Sequence, residues 1–172
     1  MLSTTFSPSE SQWKQIMTMH NKVDGKSETG LTQSGCVFES FPCEHKLAGA
    51  GLASTLSDYS EFAIMLLNKG KTNNRTIISE KAFSIFSNAY VPEKIMPGNE
   101  RWGLGVRVIV KDDYNDLPVG SFGWSGAYGS HFWIDPENNI CAVFMKNSKF
   151  DGGAGNNSAC RFEKAVSDSF FD

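Results

Sequence analysis

The run Phe122-Gly-Trp-Ser-Gly-Ala-Tyr-Gly-Ser-His-Phe-Trp-Ile-Asp-Pro136 gathers the residue types in this chain best suited to serving a ligand. Gly123, Gly126 and Gly129 let backbone approach a bound molecule closely where a side chain would block it. Ser125 and Ser130 supply hydroxyls, His131 an imidazole, and Trp124 and Trp133 broad aromatic faces. Each also has an ordinary structural role. Trp133 reads as a core aromatic of a sheet, His131 as a hydrogen-bonded structural residue, and the two serines as solvent-face residues of a strand. Trp124 is expected to face a pocket, because a backbone this rich in glycine suits a substrate edge better than a packed layer.

Other residue clusters carry less chemistry. Cys36, Cys43, Cys141 and Cys160 are scattered without CxxC pairing, and His20, His45 and His131 are equally dispersed. Zinc needs tighter spacing than this, so no metal or cofactor is expected and the thiols read as buried or idle. Sixteen Lys and Arg stand against nineteen Asp and Glu, a net charge of −3 with the signs mixed. No basic run is present to neutralise phosphates, which argues against a nucleic-acid partner. Apolar runs such as 62–67 are too short to span a bilayer. The first residues have neither the basic nor the apolar part of a signal peptide.

The elements that must position these groups follow from caps and periodicity. Ser7-Pro-Ser-Glu10 reads as a capping box opening a helix that runs to about His20. Residues 21–51 read as extended loop with one short strand pair. A second helix is predicted from Ser57 as cap, with Tyr59, Phe62, Ala63, Leu66 and Leu67 as its stripe and Gly70 as its stop. A third runs from Ser79 to about Ala89. Strands are predicted over 102–110, 121–125, 130–135 and 140–146, joined by short turns into antiparallel hairpins. A last helix over 158–171 presents Ala159, Phe162, Val166 and Phe170 to one sheet face. The fold class is therefore α+β, an antiparallel meander covered by helices. The chain reads as one region, 1–172, with a helical and loop part over 1–98 and strands plus a C-terminal helix over 99–172.

Three phrases in order resemble the serine β-lactamase and penicillin-binding-protein family. Trp124-Ser-Gly-Ala127 resembles its third signature, where Lys-Thr-Gly or His-x-Gly stands. Leu47-Ala-Gly-Ala-Gly-Leu-Ala-Ser-Thr-Leu-Ser-Asp-Tyr-Ser-Glu-Phe62 is similar to its Gly-Gly-Gly-Leu-x-Ser-Thr-x-x-Asp-Tyr-x-x-Phe segment, and Trp102-Gly-Leu-Gly-Val106 to the strand before the third signature. Met1 to Pro8 is similar to the connection after the second signature. The resemblance covers nearly the whole chain and implies the C-terminal half of a β-lactamase/DD-peptidase-like fold. It implies that the Ala127 N–H is an oxyanion donor, that the Ser125 hydroxyl meets a polar group of the substrate, and that Gly126 keeps the edge open. Trp124 replaces the usual cation, which implies ester or amide hydrolysis ahead of efficient β-lactam turnover.

The family's nucleophile is a serine with a lysine one helical turn later. Ser11-Gln-Trp-Lys14 fits that string, but it lies only some forty residues before the Gly-Ala-Gly-Leu segment, and such strings are common on solvated helix faces. The second signature, Tyr-x-Asn or Ser-x-Asn, is missing: Tyr59, Tyr90, Tyr114 and Tyr128 are followed at the second position by Glu61, Pro92, Asp116 and Ser130. Three functions compete: the C-terminal portion of a serine hydrolase acting on a small ester, peptide or β-lactam and inactive alone; a non-catalytic binding module that keeps the pocket wall; and a small esterase using Ser11 and Lys14. The first predicts an open sheet edge at 140–145, to be covered by an N-terminal portion or by self-association.

Overall fold

The computed structural model describes residues 1–29, 41, 42, 49, 51–73, 75–112, 117–153 and 155–171. The first helix, α1, is a single turn, Glu10–Trp13. Its cap is Ser9 rather than Ser7: the Ser9 hydroxyl accepts the Gln12 N–H while the Gln12 side chain accepts the Ser9 N–H. The expected continuation to His20 does not occur. His20 instead opens a hairpin, β1 (His20–Val23) with β2 (Lys26–Thr29), and donates its N–H to Asn147 while accepting from Lys149. Tertiary pairing overrides the apolar spacing that suggested a helix.

Helix α2 spans Leu56–Leu67, capped by the Thr55 hydroxyl two residues before the predicted Ser57. It ends at Gly70, whose φ of +87° only glycine adopts without strain and whose N–H closes onto Met65. A two-residue hairpin follows, β3 (Lys71–Thr72) with β4 (Arg75–Thr76). Helix α3, Glu80–Phe86, starts at the predicted cap Ser79 and stops three residues early.

Five strands then pair antiparallel in chain order: β5 (Glu100–Trp102), β6 (Arg107–Ile109), β7 (Phe122–Ser125), β8 (His131–Asp135) and β9 (Ile140–Phe144). The strand expected over 102–110 is two. Gly103-Leu-Gly105 folds it back into a hairpin, with Gly105 at φ +84° and the Gly103 N–H on the Val106 carbonyl. The β-rich composition hid a turn that its two glycines permit.

Alternation along the strands splits the core into two layers. Val108, Phe122, Phe132 and Ile134 face α2 and α3, meeting Ala63, Met65 and Leu66, with Phe83 and Phe86 alongside. Tyr59 and Phe86 make edge-to-face contacts with Phe132 and Phe122. Ile109, Leu117, Trp133 and Ala142 face the other way, against Phe162 and Val166 of α4 (Asn157–Phe171). Trp133 is core, as predicted, whereas Phe170 is 65% exposed and drops out of the predicted stripe. The architecture is α+β: an antiparallel meander with helices on both faces. No helix among the described residues is long and apolar enough to cross a membrane.

A candidate active-site edge and the buried network behind it

Strand β7 ends at Ser125, and the chain turns over 126–130 to enter β8. The turn is held by the Gly126 N–H on the Ser130 carbonyl and the Gly129 N–H on the Gly126 carbonyl. Gly153 donates a third bond to Gly126 from the loop before α4. Gly152 packs so tightly beneath that a Cβ there would sit 2.1 Å from the Ala127 oxygen. These contacts fix Ala127 on the surface. Among the described residues no hydrogen bond uses the Ala127 N–H. A fixed, exposed and unclaimed donor of this kind can stabilise an oxyanion.

Trp124 is half-exposed and packs against the α2 face of the sheet. Its ring lies 4.2 Å from that of Trp102 at 45°. The pair makes an aromatic surface beside the turn and presents no cation.

Ser125 points the other way. The sequence reading gives its hydroxyl a substrate-facing role, but the residue is only 4% exposed and its Oγ lies 2.8 Å from His131 Nδ1. The reason is the pleat: neighbours on a strand face opposite sides, and with Trp124 toward α2, Ser125 must face α4.

His131, paired in register with Ser125, leads into a charged network. Its Nε2 lies 3.1 Å from Glu163 Oε1, outside hydrogen-bond geometry, and both side chains are fully enclosed. Glu163 Oε1 also contacts Arg107 Nη2, and Arg107 Nη1 reaches Glu100 Oε2 at 3.3 Å. A chain of polar groups thus runs from β5 through β6 and α4 to β8 and β7. Sequence reasoning missed Glu100, Arg107 and Glu163. A signal existed: Glu163 stands on the predicted apolar stripe of α4, four residues after Ala159, and Arg107 interrupts a run of valines.

Burial, followed by the positive charge of Arg107, lowers the His131 pKa from 6.5 to about 4, against a hydrogen bond from the ring to the Trp124 backbone carbonyl that raises it. The folded value lies below the unfolded one, so the unfolded chain takes up the proton first. The contribution is complete above pH 6.5 and is lost as pH falls toward 4. Urea unfolding should show about 2 kcal/mol less stability at about pH 5 than at about pH 7.5 from this group. A His131→Gln variant should show a flatter profile over that window.

The Ser11–Lys14 string is not assembled. Ser11 Oγ bonds Ser9 Oγ at 3.1 Å, and Lys14 Nζ pairs with Glu10 at 2.7 Å, 70% exposed. Cys141 and Cys160 are free, half-buried thiols, with burial raising the Cys141 pKa; Cys36 and Cys43 lie outside the described residues. No group of His, Cys, Asp or Glu among the described residues is placed to hold a metal.

A family model described as Beta-lactamase matches residues 1–159. Protein Rv1367c of Mycobacterium tuberculosis strain H37Rv is 27% identical over 112 residues, 57% of this chain and 28% of that protein. Among solved structures, unliganded simvastatin synthase (LovD) from Aspergillus terreus superposes with a TM-score of 0.75 at 16% identity, covering 98% of this chain and 47% of that one. EstCE1, described as a hydrolase with promiscuous acyltransferase activity, gives 0.74 at 18%, covering 95% and 46%. A penicillin-binding protein homologue from Caulobacter crescentus gives 0.69 at 16%, covering 96% and 48%. The chain spans less than half the length of each of these proteins.

Proposed function

The chain belongs to the beta-lactamase family, and on that premise we propose that it is the C-terminal portion of a serine hydrolase working through an acyl-enzyme. In this reading it supplies one wall of the site and an oxyanion donor, while the nucleophile and its base come from sequence beyond these residues. The observation that carries it is the Ala127 N–H, held on the surface by a glycine-rich turn and unclaimed by any described group.

Each residue of the edge then has a task. The Ala127 N–H meets the oxygen that becomes negative as the substrate carbonyl is attacked. Gly126 lets the turn close tightly on Ser130, whose Oγ would lie 2.4 Å from a Cβ there. Trp124, backed by Trp102, offers an apolar wall where the family's usual residue is a cation, so the substrate group it meets is uncharged. Esters or amides fit this better than carboxylate-bearing β-lactams. Ser11 and Lys14, each tied to another partner, form no assembled nucleophile among the described residues. Strand β9, at the end of the sheet order among the described residues, takes a further neighbour from the remainder of the protein or, without it, from a second copy.

The experiment is ester hydrolysis by the full-length protein carrying Ala127→Pro, which deletes the N–H. A loss of about 100- to 1,000-fold in kcat is expected. A loss below about threefold, with the fold intact by circular dichroism, would remove Ala127 from the mechanism.

A further inference from the structure

We infer that Glu163, acting through His131, is a positioning residue for the β7 edge, holding Ser125 so that Trp124 and the turn bearing Ala127 keep their place. The inference rests on the proposed role of that edge, but its test does not depend on turnover.

The argument begins with register. Ser125 and His131 form the last paired rung of β7 and β8 before the turn. The Ser125–His131 hydrogen bond is a side-chain tie laid over that rung, one residue from Gly126 and two from Ala127. Whatever fixes the imidazole therefore fixes the strand end from which the turn departs. The imidazole is fully enclosed, and its far nitrogen sits against the Glu163 carboxylate. The Ser125–His131 tie forms in either tautomer, since a hydroxyl can donate to Nδ1 or accept from it, and the Glu163 carboxylate closes the space behind the ring. Glu163 is itself fixed by Arg107, which stands beside Gly123 in the β6–β7 register. The network thus grips β7 at two alternate residues, 123 and 125, from the α4 side. Trp124, between them, is aimed at the opposite face.

Nothing in the reaction proposed for the edge uses these groups directly. Ser125 is enclosed and unavailable to substrate, and His131 and Glu163 lie deeper still. Their task is geometric, and misplacement of a reacting group by about 1 Å is enough to cost on the order of 100-fold in rate.

Amide hydrogen exchange on the purified chain separates positioning from general stability. Glu163→Gln and the milder Ser125→Ala should each speed exchange of the hydrogen-bonded Gly126 and Gly129 amides by about tenfold, the loss of one buried hydrogen bond. In Ser125→Ala, which leaves the Arg107–Glu163 pair intact, exchange at 132–135 and 141–143 should stay near the parent rate. The double variant should exchange locally no faster than the faster single, because the two residues act through one imidazole. Uniform acceleration across the sheet in Ser125→Ala, additive local effects of the two substitutions, or unchanged exchange at Gly126 and Gly129 in Ser125→Ala would each overturn the inference. If Glu163→Gln fails to fold, Ser125→Ala and His131→Asn carry the same comparison. Loss of the proposed hydrolase activity would leave these readings untouched.

Discussion

Glu163→Ala is expected to lower stability by about 3–5 kcal/mol, because it strands the enclosed Arg107 without its principal counter-charge. The Arg107 side chain is 4% exposed and Glu163 is fully enclosed, so water cannot replace the lost carboxylate. The same truncation also opens space beside His131 and frees α4 from the sheet at its middle. The exposed Lys164–Asp168 pair, one residue along the same helix, provides the contrast. Asp168→Ala should change stability by no more than about 0.5 kcal/mol, as solvent-screened i,i+4 pairs do. Urea unfolding midpoints of the two variants measure the difference. Similar small losses in both would show that the Arg107–Glu163 contact does not hold α4 to the sheet.

Gly123→Ala should be nearly as damaging, costing about 3 kcal/mol through overpacking. A Cβ at Gly123 would sit 2.1 Å from the Phe132 carbonyl oxygen and 2.7 Å from the Trp133 Cα. Both are backbone atoms of the neighbouring strand, so relief requires β7 and β8 to separate and their ladder to weaken. Gly126→Ala, three residues on, meets the Ser130 hydroxyl at 2.4 Å, and Ser130 is exposed and free to rotate away. Its cost should be about 1 kcal/mol or less. Thermal melts of the two alanine variants would check the ranking; a reversed order would contradict the strand spacing described.

Much of this was legible before the structure. Helices α2 and α3 announce themselves by capping hydroxyls, α2 and α4 by 3.6-residue stripes, and the meander by short polar turns. What stayed hidden depended on contacts distant in sequence. Helix α1 stops because His20 pairs with the segment after β9, more than 120 residues away. Arg107 and Glu163, 56 residues apart, become partners only when α4 covers the sheet. The placement of Ser125 was different, for it followed from the pleat alone. Trp124 and Ser125 are adjacent on one strand and cannot both line one groove. Reading the motif as a string rather than as an alternating strand put the hydroxyl on the wrong face. The exposure of Ala127 and the partial exposure of Trp124 were legible, because a glycine-rich strand end followed by a turn leaves few other places for them.

The account's central claim is that this chain carries one wall of an acyl-transfer site without a nucleophile of its own. Intact-mass spectrometry of the purified 172-residue chain, after incubation with a p-nitrophenyl ester, a penicillin and a cephalosporin, addresses it directly. The account predicts an unchanged mass with each reagent. A stoichiometric acyl adduct that disappears in Ser11→Ala would contradict it and make Ser11 and Lys14 the catalytic pair of a self-sufficient enzyme.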